Sequence, residues 1–431
     1  MVDGKEIAEY TLQALRKAGA DEAQCKVGIG SATELNIDAG EFSLMRTLFN
    51  NSVTMKVIKN NRKGTISINK TDKKSIDEAS ELCVQNALAS QEDDCLSISS
   101  LDKNEDFTFG IKEPDPDKFF NRIKEYMEDI KNDYPQVLVE QLIADFSYGR
   151  SFFANTNGVR FTNSGGYYSL SSMYSSHDGD KTTSFNSTGV DFVDLDKKII
   201  DLGMQRLNYD LSVRELNAVQ YDKGNFTGNV IFMPSSVPDI VGTAIDSFTS
   251  DGSLIDGTSP WKDKLKTKVA SDILNVNLVP LDKRVVGGER YTPEGYKTKN
   301  SEIIKNGILE SFTLSEYAAR KTGNKRCGTL SGCMEIKPGN ISLDDMIKSI
   351  DRGLLIGRLS GGEPAGNGDF SAVAKNSFLI ENGKVTVPVT ETMISGNLDS
   401  MMKNVINISK ETVEDGTDIM PWIEFGGVTV S

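Results

Sequence analysis

The chain has 431 residues, more than one hydrophobic core organises, so two or three domains are expected. At 38% hydrophobic and 26% charged it has the composition of a globular protein in water, and no apolar run in it approaches the roughly 20 residues of a membrane helix. The net charge is −14 without a basic block, which argues against direct nucleic-acid contact, because duplex DNA is held by Lys and Arg on its phosphates.

The opening MVDGKEIAEYTL lacks the basic and apolar regions of a signal peptide, so a cytoplasmic protein is expected. Lys5–Lys17 carries Ile7, Leu12 and Leu15 at helical spacing, with Gly19 placed to end the helix. Cys25–Ile29, Glu34–Ala39, Phe42–Phe49 and Ser52–Lys59 read as strands, followed by a turn at Arg62-Lys63-Gly64 into Thr65–Asn69. Asp72 or Ser75 can cap a helix running to about Ala89. Helix, antiparallel strands and helix make an α+β domain over residues 1–92.

Gln91–Asp117 is acidic and Ser/Pro-containing. It reads either as a linker, at 93–116, or as an ordered surface loop. A middle domain, 117–220, begins with the amphipathic helix Asp117–Asp133. Val137–Tyr148, Ser151–Ala154 and Val159–Thr162 alternate as strands, with Asn157-Gly158 as a hairpin turn. The Ser/Tyr-rich run Gly166–Ser176 fits a solvated antiparallel strand better than a ligand face. Asp194–Asn208 reads as helix. The middle domain is thus an antiparallel meander flanked by helices.

A β-rich C-terminal domain is expected over 221–431. Asn229–Met233 reads as a strand and Pro234–Phe248 as a helix with proline in its first turn. Leu274–Val279, a loop at Gly287–Gly295 and a hairpin at Ser301–Thr313 follow. Gly353–Leu359 is an apolar run of the kind buried on both faces of a sheet. The loop that succeeds it carries Gly361, Gly362, Gly366 and Gly368; with no Lys-Ser/Thr after it, it is no P-loop and instead suits close approach of another backbone. Ser377–Ile380 and Lys384–Val389 flank Asn382-Gly383, a type I′ hairpin dipeptide. Met401–Ser409 and Trp422–Val430 read as final strands.

The order and spacing of several of these pieces carry a family likeness. Gly368-Asp369-Phe370-Ser371 follows the glycine loop, then come Ile380–Gly383, Pro388-Val389 and Gly396–Leu398. Upstream stand Lys305–Leu309 and Tyr317–Gly323. The set resembles the C-terminal domain of the TldD/PmbA proteins, in particular the PmbA/TldE branch. The likeness is clear over 228–431 and weaker, in order, before it.

That resemblance implies where to look for chemistry. In the TldD branch the helix after the first strand of this domain carries His-Glu-x-x-x-His, and a Cys near the C-terminus completes a zinc site. Zinc takes imidazole and thiolate, and the Glu activates a metal-bound water. Here the three helix positions fall on Pro238, Asp239 and Thr243, and the stretch 419–426 contains no Cys. The only histidine, His177, lies in the middle domain, where it reads as an exposed turn residue. The five cysteines are scattered, and Cys327 and Cys333 lack zinc-knuckle spacing and read as buried thiols.

The resemblance therefore implies a subunit of a cytoplasmic TldD/PmbA-type metallopeptidase system that lacks the catalytic zinc. Zinc is expected only in a TldD-type partner. The chain would pair with that partner or with itself, and contribute walls to a channel for an extended peptide, with no membrane or nucleic acid involved. Expected peptide-contacting residues are Asp239, Thr243, Gly361, Gly362, Glu363, Asp369 and Ser371. The alternative is a homodimeric peptide-binding or scaffold protein without catalysis. A metal-free hydrolase using Asp239, Glu363 and Asp369 ranks last, because nothing in the sequence brings these carboxylates together.

Overall fold

The computed structural model describes residues 3–100, 104–222, 224–390 and 392–431. Two sheets organise them, with helices packed on their faces, in an α+β fold. The first sheet runs in the spatial order Arg62–Ile68, Glu41–Lys59, Glu22–Asp38, Val137–Asn155, Arg160–Asp178, Glu105–Gly110. Strands from 1–92 and from 117–220 thus share one sheet. Helices Gly4–Lys17 and Lys73–Ala89 bury Leu12, Leu15, Ile76 and Cys83 against Val27, Val53 and Met55 at one end. Helix Pro116–Asp133 buries Phe119, Ile123 and Tyr126 against Leu35, Leu142 and Tyr168 at the other.

Several expected boundaries move, each for a physical reason. The four expected strands of the N-terminal region fuse into two, Glu22–Asp38 and Glu41–Lys59. They pair from Glu22↔Ile58 to Asp38↔Glu41, and Val137–Asn155 pairs with the other edge of Glu22–Asp38, so the polar Gly30 and Asn50 positions stay extended. The expected linker contains the strand Glu105–Gly110, parallel to Phe161–Gly166, and Asp93 accepts a hydrogen bond from Tyr317 Oη at 2.8 Å. Its described residues are an ordered surface segment, and Leu101–Lys103 lie outside the described residues. The helix expected at 194–208 forms later, at Gln205–Glu215, because Gly203 sits at φ +55°, outside any right-handed helix.

The Ser/Tyr run is an antiparallel strand, but an interior one. Ser172 and Ser176 are buried, with Ser176 Oγ 2.8 Å from Ser212 Oγ and Ser172 Oγ 3.1 Å from Tyr209 Oη. The hydroxyls of Ser172 and Ser176 are thus paired inside the protein, not with solvent. The stretch expected as a strand from Met401 begins instead as helix Leu398–Lys403, capped by the Asn397 side chain on the Ser400 N–H.

The second sheet closes on itself. Ile419–Val430 pairs with Phe226–Phe232, which pairs in parallel with Arg352–Ser360. Arg352–Ser360 pairs with Asp369–Glu381, that strand with Thr392–Asn397, and Thr392–Asn397 returns to Ile419–Val430 through Ile394↔Val430. The Asn382-Gly383 turn has φ +50° and +72°, as a type I′ hairpin requires. Val230, Phe232, Leu354, Ile356, Ile394 and Phe425 are fully buried in its core, beneath Val241, Ile245 and Phe248. The loop bearing Tyr291 docks the two sheets: its ring lies 5.3 Å from Phe161 and its Oη 2.7 Å from Ser151 Oγ.

Candidate functional site

The site is built where Phe226–Phe232 leaves the closed ring. Ser235 Oγ donates to the Gly357 carbonyl at 2.6 Å and Ser236 Oγ to the Ile356 carbonyl at 2.9 Å, so the chain is clamped across the neighbouring parallel strand. Instead of the single helix expected from Pro234, the next turn is wound wide, as a π-turn over Pro238–Gly242, before a regular helix at Thr243–Thr249. A π-turn places residues five apart above one another. Pro238 and Thr243 are such a pair, and both border the larger of two cavities.

The smaller cavity, about 180 Å³, is lined by Asp239, Thr243, Gly361, Gly362 and Glu363, with Leu359, Pro364 and Phe370. Five of the seven residues singled out from the sequence therefore meet, although more than 115 positions separate the helix pair from the loop. The glycine loop fits because Gly362, at φ +83°, lies against the next strand: a Cβ there would sit 2.3 Å from the Ser371 carbonyl. Asp239 opens to solvent on one side, yet its carboxyl is pushed up to about 6. Displacement of water by the surrounding protein is the main cause; the Leu359 N–H and the Arg358 guanidinium oppose it, and the Glu363 charge adds to it.

Asp369 and Ser371 do not line this cavity. Asp369 accepts from Asn397 Nδ2 at 2.8 Å and Asn367 Nδ2 at 2.7 Å, which holds its carboxyl below the usual range and pins the far end of the loop. Ser371 is exposed, and its carbonyl faces Gly362 of the loop. The three carboxylates of the metal-free hydrolase reading are thus split, Asp239 with Glu363 and Asp369 apart.

A second cavity, about 450 Å³, opens on the other flank of the turn and was not anticipated from the sequence. Pro238 and Thr243 border it with Asp246, Asp251, Asp418 and Met420. Burial pushes the Asp418 carboxyl up to about 6 against a hydrogen bond from the Met334 N–H, with Asp415 adding. Asp246 lies one turn after Thr243 and carried a helical signal only; Asp418 comes from a distant Asp-Gly-Thr-Asp turn, and no local pattern announces it.

The donor chemistry does not fit a zinc ion. Pro238 offers no ligand atom, Thr243 a neutral hydroxyl, and Asp239 one carboxylate. Among the described residues no group of three or more His, Cys, Asp or Glu could hold a metal. His177 is exposed at the end of Arg160–Asp178, its Nε2 2.8 Å from Ser175 Oγ. Cys327 and Cys333 are buried free thiols.

The closed ring with a wide turn at its rim defines a class. Residues 225–431 match the family model described as PmbA/TldA metallopeptidase C-terminal domain. Residues 225–431, nearly half of the chain, are thus a TldD/PmbA-type C-terminal domain. It is 34% identical over 174 residues to the metalloprotease PmbA homolog of Buchnera aphidicola subsp. Acyrthosiphon pisum, covering 38% of each chain. It is 26% identical over 291 residues to metalloprotease PmbA of Escherichia coli O157:H7, covering 65% of this chain and 63% of that one. The matched stretch therefore spans less than two thirds of either relative. A metalloprotease of Methanocaldococcus jannaschii is 23% identical over 415 residues, 91% of this chain and 90% of that one. The fold matches crystalline TldE from Thermococcus kodakarensis with a TM-score of 0.82 at 21% identity, over 99% of this chain and 100% of that one.

Proposed function

We propose that this chain is a PmbA/TldE-like subunit of a cytoplasmic TldD/PmbA-type metallopeptidase system, one that shapes a peptide channel and leaves the metal to a TldD-type partner. One observation carries the reading: the wide turn at the rim of the closed ring presents Pro238, Asp239 and Thr243. By the resemblance, these are the positions that zinc-bearing members fill with His-Glu-x-x-x-His, and here they supply no such ligand set.

The two cavities on either side of this turn would form the channel wall. An extended peptide would lie between Asp239 with Thr243 and the Gly361–Glu363 loop, held mainly by backbone hydrogen bonds that tolerate many sequences. No helix among the described residues is long and apolar enough to cross a membrane. The test is metal analysis and peptide hydrolysis on the protein purified alone and purified with a TldD-type chain. The expected result is substoichiometric zinc and no hydrolysis alone, and both with the partner. Stoichiometric zinc with hydrolysis by the isolated chain would overturn the reading.

A further inference from the structure

Where the first sheet meets the closed ring, buried polar atoms from several elements collect. Tyr174 is fully buried in Arg160–Asp178 and opposes Asn186 on the strand Asn186–Phe192. The Asn186 side chain reaches the ring, where its Oδ1 accepts from Asn376 Nδ2 at 2.9 Å. Glu215 ends the helix Gln205–Glu215, and its carboxyl is acted on by the Asn186 amide, the Arg358 guanidinium and the Asn376 N–H. Tyr174 lies in the field of both Arg358 and Glu215. Four atoms of this group are buried without a hydrogen-bond partner among the described residues: Tyr174 Oη, Glu215 Oε2, Arg358 Nε and Asn376 Oδ1. A buried polar atom left unpaired is costly, so four in one neighbourhood call for a shared partner.

The chemistry of the four atoms selects that partner. Arg358 Nε and Tyr174 Oη each have a hydrogen to give, while Glu215 Oε2 and Asn376 Oδ1 accept. The orientation of Asn376 follows from its neighbour. Asn186 Nδ2 donates to the Ser184 carbonyl at 3.2 Å, which turns Asn186 Oδ1 toward Asn376 and leaves Asn376 its Nδ2 to give. Two donors and two acceptors match the two lone pairs and two hydrogens of water. An anion would be repelled by the Glu215 and Asn376 oxygens, and a cation by the Arg358 guanidinium. We propose that one water molecule is bound here, accepting from Arg358 and Tyr174 and donating to Glu215 and Asn376, and that it braces the wall of the Asp239 cavity against the first sheet. Arg358 makes the link. It precedes Leu359, which lines that cavity and whose N–H serves the Asp239 carboxyl. Its Nη2 donates to the Phe185 carbonyl at 3.2 Å, beside Asn186.

The water site does not rest on the peptide-channel reading, and metal content plays no part in its test. The test uses the full chain. A crystal structure is expected to show one ordered water about 2.7–3.2 Å from each of the four atoms, with no anomalous peak there after bromide soaking. Tyr174→Phe gives the deciding sign. An unpaired buried hydroxyl is a penalty that phenylalanine relieves, whereas a hydroxyl bonded to water is an interaction that phenylalanine removes. The unfolding equilibrium constant in urea is therefore expected to rise about five-fold in Tyr174→Phe, the worth of roughly one hydrogen bond. With Arg358→Met already present, the same change is expected to cost less than about two-fold, because both act on one water. Amide exchange at Leu359 is expected to quicken in Tyr174→Phe. A Tyr174→Phe chain as stable as the parent or more so, full additivity with Arg358→Met, unaltered exchange at Leu359, or a halide or a direct protein contact in place of the water would each overturn the proposal.

Discussion

The backbone N–H of Thr243 is shared between the carbonyls of Ile240, three residues earlier, and Pro238, five residues earlier. The wide member of that pair brings the Pro238 and Thr243 positions above one another. A regular turn would stack residues three or four apart and point one of these two away.

The first prediction uses this stacking. Pro238→His, Thr243→His and Met420→Cys would place three metal donors around one cavity, since Met420 borders it with positions 238 and 243, and Asp239→Glu would add the water-activating carboxylate beside them. The fourfold variant is expected to hold close to one zinc per chain by elemental analysis, against a small fraction in the parent. No gain in zinc would mean that the turn is not a ligand scaffold.

Asp239 supplies a pH dependence whose sign is fixed. Its carboxyl sits at about 6 in the folded chain, against 3.8 for the ordinary group, so the folded state holds the proton more tightly. Stability therefore falls as pH rises from about 4 to about 6 and stays lower above that. Asp239→Asn removes the penalty. The variant is expected to melt higher than the parent at pH 7.5, by on the order of 1 kcal/mol once solvent screening at this open site is allowed for, and equally at pH 3.5. Parallel melting curves at all pH values would refute this.

Gly362→Ala sets a Cβ against the Ser371 carbonyl at a backbone angle few side chains adopt. A cost of about 1–3 kcal/mol is expected, read in urea denaturation. The loop is expected to lift from the cavity, so the peptide affinity that the proposed function calls for falls with stability. An alanine variant with parental stability would show that the loop position is not held by this contact.

Tyr209 ties the middle of the protein together. Its Oη lies 2.5 Å from Tyr126 Oη and 3.1 Å from Ser172 Oγ, with no water access. Tyr209→Phe keeps the ring packing and leaves those hydroxyls short of a partner. A loss of about 1–3 kcal/mol is expected in denaturant unfolding; a change below 0.5 kcal/mol, as a rough bound, would mean that the network re-forms around Gln205.

Legibility in the sequence divided along physical lines. Helices Gly4–Lys17, Lys73–Ala89 and Pro116–Asp133 were readable because one face of each must be apolar, and the second also because Asp72 can cap it. The Asn382-Gly383 hairpin was readable because its backbone angles admit few residues. The strand lengths, the interior position of the Ser/Tyr run and the strand inside 93–116 were not, because each depends on which chain segment lies alongside.

The same division holds at the site. By itself, the sequence determined which ligand atoms exist: one histidine in the whole chain, and proline, aspartate and threonine at the decisive helix positions. Covalent chemistry is local, so it needs no fold to be read. Only the tertiary structure decided that Asp239 and Glu363 share a cavity while Asp369 turns to Asn397, and that Asp418 joins Asp246 across the turn. Those neighbours are set by strand closure between segments far apart in the chain, and no spacing along it records the distance.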